Sequence, residues 1–134
     1  MVTEDPEQRS RIMRAVKSRD TAPEMLVRRL VFAMGYRYRL HAKHLPGKPD
    51  LVFASRAKVV FVHGCFWHGH HCARGNRLPK NNAEYWRLKI GQNLVRDSTH
   101  VSQLEADGWN VLIIWECETK DHEKLTRKLL TFLE

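Results

Sequence analysis

Between Val59 and Cys72 the chain reads VVFVHGCFWHGHHC, an apolar run that breaks at Gly64 into histidines, cysteines and large aromatics. Two cysteines, four histidines and two aromatics fall within the ten residues from His63 to Cys72. A packed core has no use for this mixture. Thiolate and imidazole are zinc ligands, imidazole carries protons near neutrality, and aromatic faces stack. Zinc takes four tetrahedral ligands, and Cys65, His70 and Cys72 supply three from one loop. Cys117, the remaining cysteine, ends a later strand-like segment expected beside the strand that runs into Gly64, and completes the set. His71 is the weaker alternative to His70, because adjacent residues in extended chain point apart and Cys72 already takes one side. With no vacant ligand position such a zinc is structural. The competing reading is two buried free cysteines in a histidine-rich turn.

A second chemistry is available beside it. Phosphodiester cleavage needs an activated water and charge neutralisation at phosphorus, which magnesium held by carboxylates provides. Asp50 follows the rigid turn Leu45-Pro-Gly-Lys-Pro and stands at the entry of a strand, while Glu24 opens the first helix. Both have plainer explanations: Glu24 completes a capping box with Thr21, and aspartate is common in turns. His63 and His68 flank the first cysteine without being needed for zinc, so either is a candidate proton carrier or a supporting, solvent-facing residue.

These groups need elements to position them. Thr21-Ala-Pro-Glu24 caps a helix whose apolar positions are Leu26, Leu30, Ala33 and Met34, and Gly35 ends it. Tyr36, Tyr38 and Leu40 alternate with Arg37, Arg39 and His41 as in a half-buried strand. Leu51 to Phe53 and Lys58 to Val62 pair as a hairpin around Ser55-Arg56, the second strand apolar on both faces. The run from Ala73 to Asn82 is a loop. A long helix follows from about Ala83 to Asp107, with Ile90, Leu94, Val101 and Leu104 as its apolar face. Trp109 to Glu116 reads as a central strand, and Leu125, Leu129 and Leu133 mark a closing amphipathic helix. The order predicts an α/β fold around one mixed sheet.

At 134 residues the chain is expected to be one domain with a core of its own. No apolar run approaches the roughly 20 residues that span a bilayer, and the amino terminus has no apolar leader, so a cytoplasmic protein without membrane contact is expected. Three cysteines, two in the histidine cluster, favour a reducing compartment and a metal over disulfides. A net charge of +8 makes a polyanion the natural partner, although charge alone fits a merely soluble basic protein equally well. Residues 1–19, with Arg9, Arg11, Arg14, Lys17 and Arg19 around Ile12, Met13 and Val16, are expected to form a mobile basic arm that contacts DNA; a solvated leader is the alternative.

Through IMRAVKSRDTAPE, LPGKPD, HGCFWHGHHC, KIGQN and GWNVLIIWEC the chain resembles the very-short-patch repair (Vsr) mismatch endonucleases, over nearly its whole length. The resemblance implies a restriction-endonuclease-like αβββαβ core, a variant of the PD-(D/E)xK design, with a structural zinc of the same four ligands. It implies an enzyme that nicks duplex DNA on the 5′ side of the thymine in a T·G mismatch, leaving 3′-hydroxyl and 5′-phosphate, and acting as a monomer in the nucleoid alongside other mismatch-repair proteins. Asp50 matches the aspartate that binds the catalytic Mg²⁺ ions, two in number, with the Val62 backbone carbonyl as second protein ligand. Glu24 and His63 match residues acting on the waters around the metal, and His68 matches the acid/base histidine. Phe66, Trp67 and Trp86 match aromatics that enter the base stack from the major groove, and Met13 matches a residue entering from the minor groove. Lys89 and Asn93 share the helical face of Trp86 and are candidate DNA contacts. As core-packing residues these aromatics would need no DNA.

The chain also departs from the pattern. The strand after the aspartate ends Phe61-Val62-His63, without the Glu-x-Lys of the restriction-enzyme signature, Val62 stands where a small polar residue is expected, and Gly69 interrupts the histidine run. Two rival readings follow: a nickase of relaxed mismatch or structure specificity, and a zinc-stabilised nucleic-acid-binding module without catalysis.

Overall fold

The computed structural model describes residues 21–134 except 41, 66, 67, 69 and 71–80. The expected basic arm at residues 1–19, with Met13, lies outside the described residues, as do Phe66, Trp67 and Cys72.

Helix α1 spans Ala22–Ala33; Thr21 Oγ1 accepts the Glu24 amide at 3.4 Å and Pro23 occupies the first turn. Its inward stripe is turned from the one expected. Val27 and Val31 are fully buried together with Glu24 and Arg28, whereas Leu26, Leu30 and Met34 pack at the margin and Ala33 is exposed. The helix therefore carries an ionisable pair on its buried side. That placement is unexplained by packing and is explained by the site below.

Strands β1 (Arg39–Leu40), β2 (Leu51–Phe53), β3 (Lys58–His63) and β4 (Asn110–Trp115) form one mixed sheet in that order. β1, β2 and β3 are antiparallel neighbours, and β4 runs parallel to β3, with Val60 opposite Leu112 and His63 opposite Trp115. Helix α2 (Ala83–Ala106) makes the crossover and α3 (His122–Leu133) closes the chain. Leu51, Phe53, Val60 and Ile114 face α1 and α3; Val52, Val59 and Phe61 face Leu104 of α2. The sheet is thus covered on both sides, the period-two alternation of each strand sending neighbours to opposite layers. Leu125, Leu129 and Leu133 are buried at one-turn spacing, each contributing about 2 kcal/mol of apolar burial. Arg56 and Lys58 donate to the carbonyls of Leu133 and Phe132 at 3.0 and 2.5 Å, satisfying the end of α3 with charge of the favourable sign.

Three further expectations are corrected. Among the described residues β4 is an edge strand, not a central one: Val111 and Ile113 face one layer, Leu112 and Ile114 the other, so its unbroken apolar run reports two covered faces and not two flanking strands. The alternation from Tyr36 to His41 gives only a two-residue ladder at Arg39–Leu40, because Tyr36 and Tyr38 spend their burial packing on the core beside α1. On α2, Leu94 is 46% exposed and outside the apolar face assigned to it. Among the described residues no helix is long and apolar enough to cross a membrane.

Candidate active site

The antiparallel β2–β3 ladder ends at the pair Leu51 and Val60, so the Val62 amide lies beyond it. Asp50 Oδ2 accepts that amide at 2.6 Å, pinning the carboxylate to the end of the sheet. The Val62 N–H is thereby tied to Asp50. Burial pushes the Asp50 carboxyl up to about 7, with neighbouring Glu24 adding to the rise against the opposing pull of the Val62 amide, Arg28 and His68. The charges around the carboxyl do not offset its burial, and a cation bound beside it would favour the ionised form.

Glu24, 3% exposed, lines the same cavity and accepts from Arg28 Nη2 at 3.2 Å. One turn of α1 holds both. The Tyr38 hydroxyl reaches the Arg28 carbonyl at 3.5 Å, tying the strand region to that turn.

His63 ends β3, 7% exposed, and its ring lies flat on His68 with centroids 3.8 Å apart and planes 5° apart. Burial, reinforced by His68 and opposed by Asp97, lowers the His63 pKa to about 4, so the ring is neutral at physiological pH. Its Nδ1 is buried without a hydrogen-bond partner among the described residues. His68 Nδ1 meets Asp97 Oδ2 at 2.5 Å. Burial opposes ionisation of Asp97, yet the His68 hydrogen bond and the charges of His68, His63 and His100 hold its carboxyl below the usual range. An ionised carboxylate only accepts, so His68 Nδ1 carries the proton and Nε2 is left to exchange one with substrate or water.

Asp97 escaped the sequence reading. Its signal was an interruption: the inward stripe of α2 runs from buried Trp86 and Ile90 through half-buried Asn93, Asp97 and His100 to buried Leu104, polar where it passes the end of the sheet. Lys43, Lys48 and Arg96 were also missed, and with Asp50, Glu24, His63, His68 and Asp97 they line a cleft of about 770 Å³. Asp97→Asn is expected to lower the nicking rate roughly 100-fold with DNA affinity little changed, the cost of losing an anionic partner for an acid/base imidazole. Single-turnover rates beside binding isotherms check it.

Cys65, His70 and Cys117 gather on the far side of Trp115, their ligand atoms within 4.8 Å of one another. Cys117 follows β4 in a short 3₁₀ turn, Glu116–Lys120, and its Sγ lies 3.6 Å from His70 Nδ1. The Cys117 amide points at Cys65 Sγ, 3.4 Å away. Trp115 stacks on His70 at 4.2 Å and meets His63 edge-on at 5.3 Å, so one indole separates the cysteine cluster from the cleft and braces both. Trp86 is 8% exposed, edge-on to Tyr85, and would have to leave that pocket to reach a base step; Lys89 and Asn93 are half-buried.

A mixed α/β sheet whose end carries a carboxylate, two histidines and a second carboxylate in a cleft with lysine and arginine at its walls has the parts of a phosphodiester-cleaving nuclease. Comparison with known proteins gives the family. Residues 1–74 match the model for "DNA mismatch endonuclease Vsr". The chain is 49% identical over 129 residues to the type II nicking enzyme V.XorIIP of Xanthomonas oryzae pv. oryzae, covering 96% of this chain and 94% of that one. It is 44% identical over 127 residues to the DNA mismatch endonuclease Vsr of Escherichia coli (strain K12), covering 95% and 81%. A Neisseria meningitidis nicking enzyme, V.NmeAIP, is 44% identical over 123 residues, covering 89% and 87%. The chain belongs to the Vsr family of DNA mismatch endonucleases. It is a DNA nicking endonuclease of mismatch repair, and DNA is its partner.

Proposed function

We propose that the chain nicks one strand of duplex DNA on the 5′ side of the thymine in a T·G mismatch, with magnesium at Asp50 and a structural zinc at Cys65, His70, Cys72 and Cys117. The observation that carries the catalytic part is Asp50: a carboxyl pinned at the sheet end, raised to about 7, and facing the same cleft as His63, His68 and Asp97. The donor chemistry suits magnesium, a hard cation that takes carboxylate oxygen. When bound, magnesium supplies positive charge to the phosphate and to the attacking water. Glu24 and the neutral His63 accept hydrogen bonds from that water. The water gives up one proton as its oxygen bonds to phosphorus, the bond from phosphorus to O3′ breaks, and O3′ takes one proton in turn. His68, held by Asp97 through Nδ1, exchanges the proton at Nε2.

The cysteine cluster fits zinc on its own measure. Zinc–sulfur and zinc–nitrogen bonds of ordinary length at a tetrahedral angle set sulfur and nitrogen about 3.6 Å apart, and Cys117 Sγ and His70 Nδ1 stand 3.6 Å apart. Cys72 completes the proposed set from outside the described residues. The whole chain is read as one domain acting as a monomer in the cytoplasm on nucleoid DNA.

A wobble pair and its neighbours unstack more cheaply than a matched pair, which supports aromatic entry at Phe66 and Trp67, with Trp86, Lys89, Asn93 and Met13 as further DNA contacts. A panel of duplexes carrying T·G, other mismatches or no mismatch tests the specificity. The T·G duplex should be nicked in the thymine strand alone, and matched duplex roughly 100-fold more slowly or not at all.

A further inference from the structure

β3, the second strand after Asp50, has no lysine where the restriction-enzyme signature places one; it ends Phe61-Val62-His63. Phosphate gathers charge as it is attacked, and a site without a fixed cation leaves that charge to the metal alone. Among the described residues the lysine and arginine side chains lining the cleft are Lys43, Lys48 and Arg96. Lys48 is set apart by its backbone. Gly47 and Lys48 are consecutive left-handed residues, at φ +74° and +50°, and the second is a conformation that side chains other than Gly, Asn and Asp seldom adopt.

The turn is held from three sides. The Lys48 amide donates to the Leu45 carbonyl at 3.0 Å, Pro49 behind it is fully buried, and a Cβ at Gly47 would fall 3.0 Å from His100 on the site-facing side of α2. Two residues on is Asp50. Backbone economy would put glycine or asparagine at position 48. A lysine there, exposed, on the wall of the cleft, and without a hydrogen bond or ion pair of its side chain among the described residues, is what a contact made only with substrate requires.

Resting on the reading of Asp50 as the catalytic metal ligand, we infer that Lys48 is a catalytic residue that takes over the task of the missing signature lysine. Its ammonium pairs with a non-bridging oxygen of the scissile phosphate and offsets the charge that develops there. The rigid turn that aims Asp50 at the metal aims Lys48 at the phosphate.

Lys48→Gly tests this, because it removes the side chain while suiting the backbone. Its unfolding midpoint should equal or exceed the parent's, while its nicking rate at saturating mismatched duplex with Mg²⁺ falls about 30- to 300-fold. Lys48→Arg should keep the rate within about tenfold of the parent, since it restores the charge. Nicking by Lys48→Gly within twofold of the parent at saturation overturns the inference. So does a loss confined to affinity, which would make Lys48 a general DNA contact. Asp50→Asn run alongside separates the two readings. Full nicking by that variant strikes at the metal-centred site itself, whereas an inert Asp50→Asn beside a fully active Lys48→Gly overturns only the role of Lys48.

Discussion

Asp50→Asn is expected to abolish nicking and, in magnesium-free buffer above neutral pH, to make the fold more stable. The folded chain prefers Asp50 protonated, its pKa rising from 3.8 to about 7. That preference contributes fully below the unfolded pKa and is lost as pH climbs through about 7, so the parent gives up stability at this position across that window. A shift of this size corresponds to roughly 4 kcal/mol, and partial exposure of the group reduces it to about 2. His63 works in the opposite sense. Its pKa falls from 6.5 to about 4, so its contribution is present above 6.5 and lost as pH falls toward 4. Below 6.5 the two slopes therefore oppose, and at pH 8 only the cost of Asp50 remains. Asparagine keeps an oxygen for the Val62 amide and carries no charge, so the variant's unfolding midpoint at pH 8 should exceed the parent's by several degrees. Magnesium should raise the parent's midpoint and leave the variant's unchanged, since only a ligand bound by the native state stabilises it. Equal midpoints at pH 8, insensitive to magnesium, would remove Asp50 from the metal site.

Cys117→Ser should have the largest effect on stability. If Cys65, His70, Cys72 and Cys117 hold zinc, removing one thiolate weakens the site and unties the end of β4 from the loop after β3. The loss should be about 3–5 kcal/mol, on the order of 10–15 °C in unfolding midpoint, because metal binding to a structural site is folding free energy. Metal analysis should find one zinc per parent chain and markedly less in the variant. A chelator strong enough to strip zinc should bring the parent down to the variant's midpoint. A variant as stable as the parent with unchanged metal content would show that these cysteines are only packed thiols. Through Trp115, which stacks on His70 and touches His63, loss of the cluster should also slow nicking.

What could be read from the chain alone followed from local rules. The Thr21 cap, the Pro-Gly turn before Asp50, the β2–β3 hairpin and the one-turn leucine spacing of α3 depend on residues close in sequence, and each is in the structure where its pattern puts it. The approach of Cys117 to Cys65 and His70 was legible too, because a parallel pairing of β3 and β4 brings their carboxyl ends together. Asp97 was not, since a carboxylate on a long polar helix looks solvated until the fold shows which side faces the cleft. The edge position of β4 was hidden for a related reason: an apolar run reports how many faces are covered and is blind to how many strands lie beside it. Nor could the pattern of α1 reveal that Glu24 and Arg28 turn inward, because buried charge breaks the periodicity from which helix faces are read.

The central claim is that one cleft, centred on Asp50, cuts one strand at a mismatch. Its most direct measurement is strand-resolved cleavage of a T·G duplex by the parent and Asp50→Asn, with matched duplex as control, in the presence of Mg²⁺. A single nick 5′ of the mismatched thymine by the parent, with intact DNA after incubation with the variant, is the predicted result. Cleavage of both strands, equal cutting of matched duplex, or an active Asp50→Asn would contradict the account.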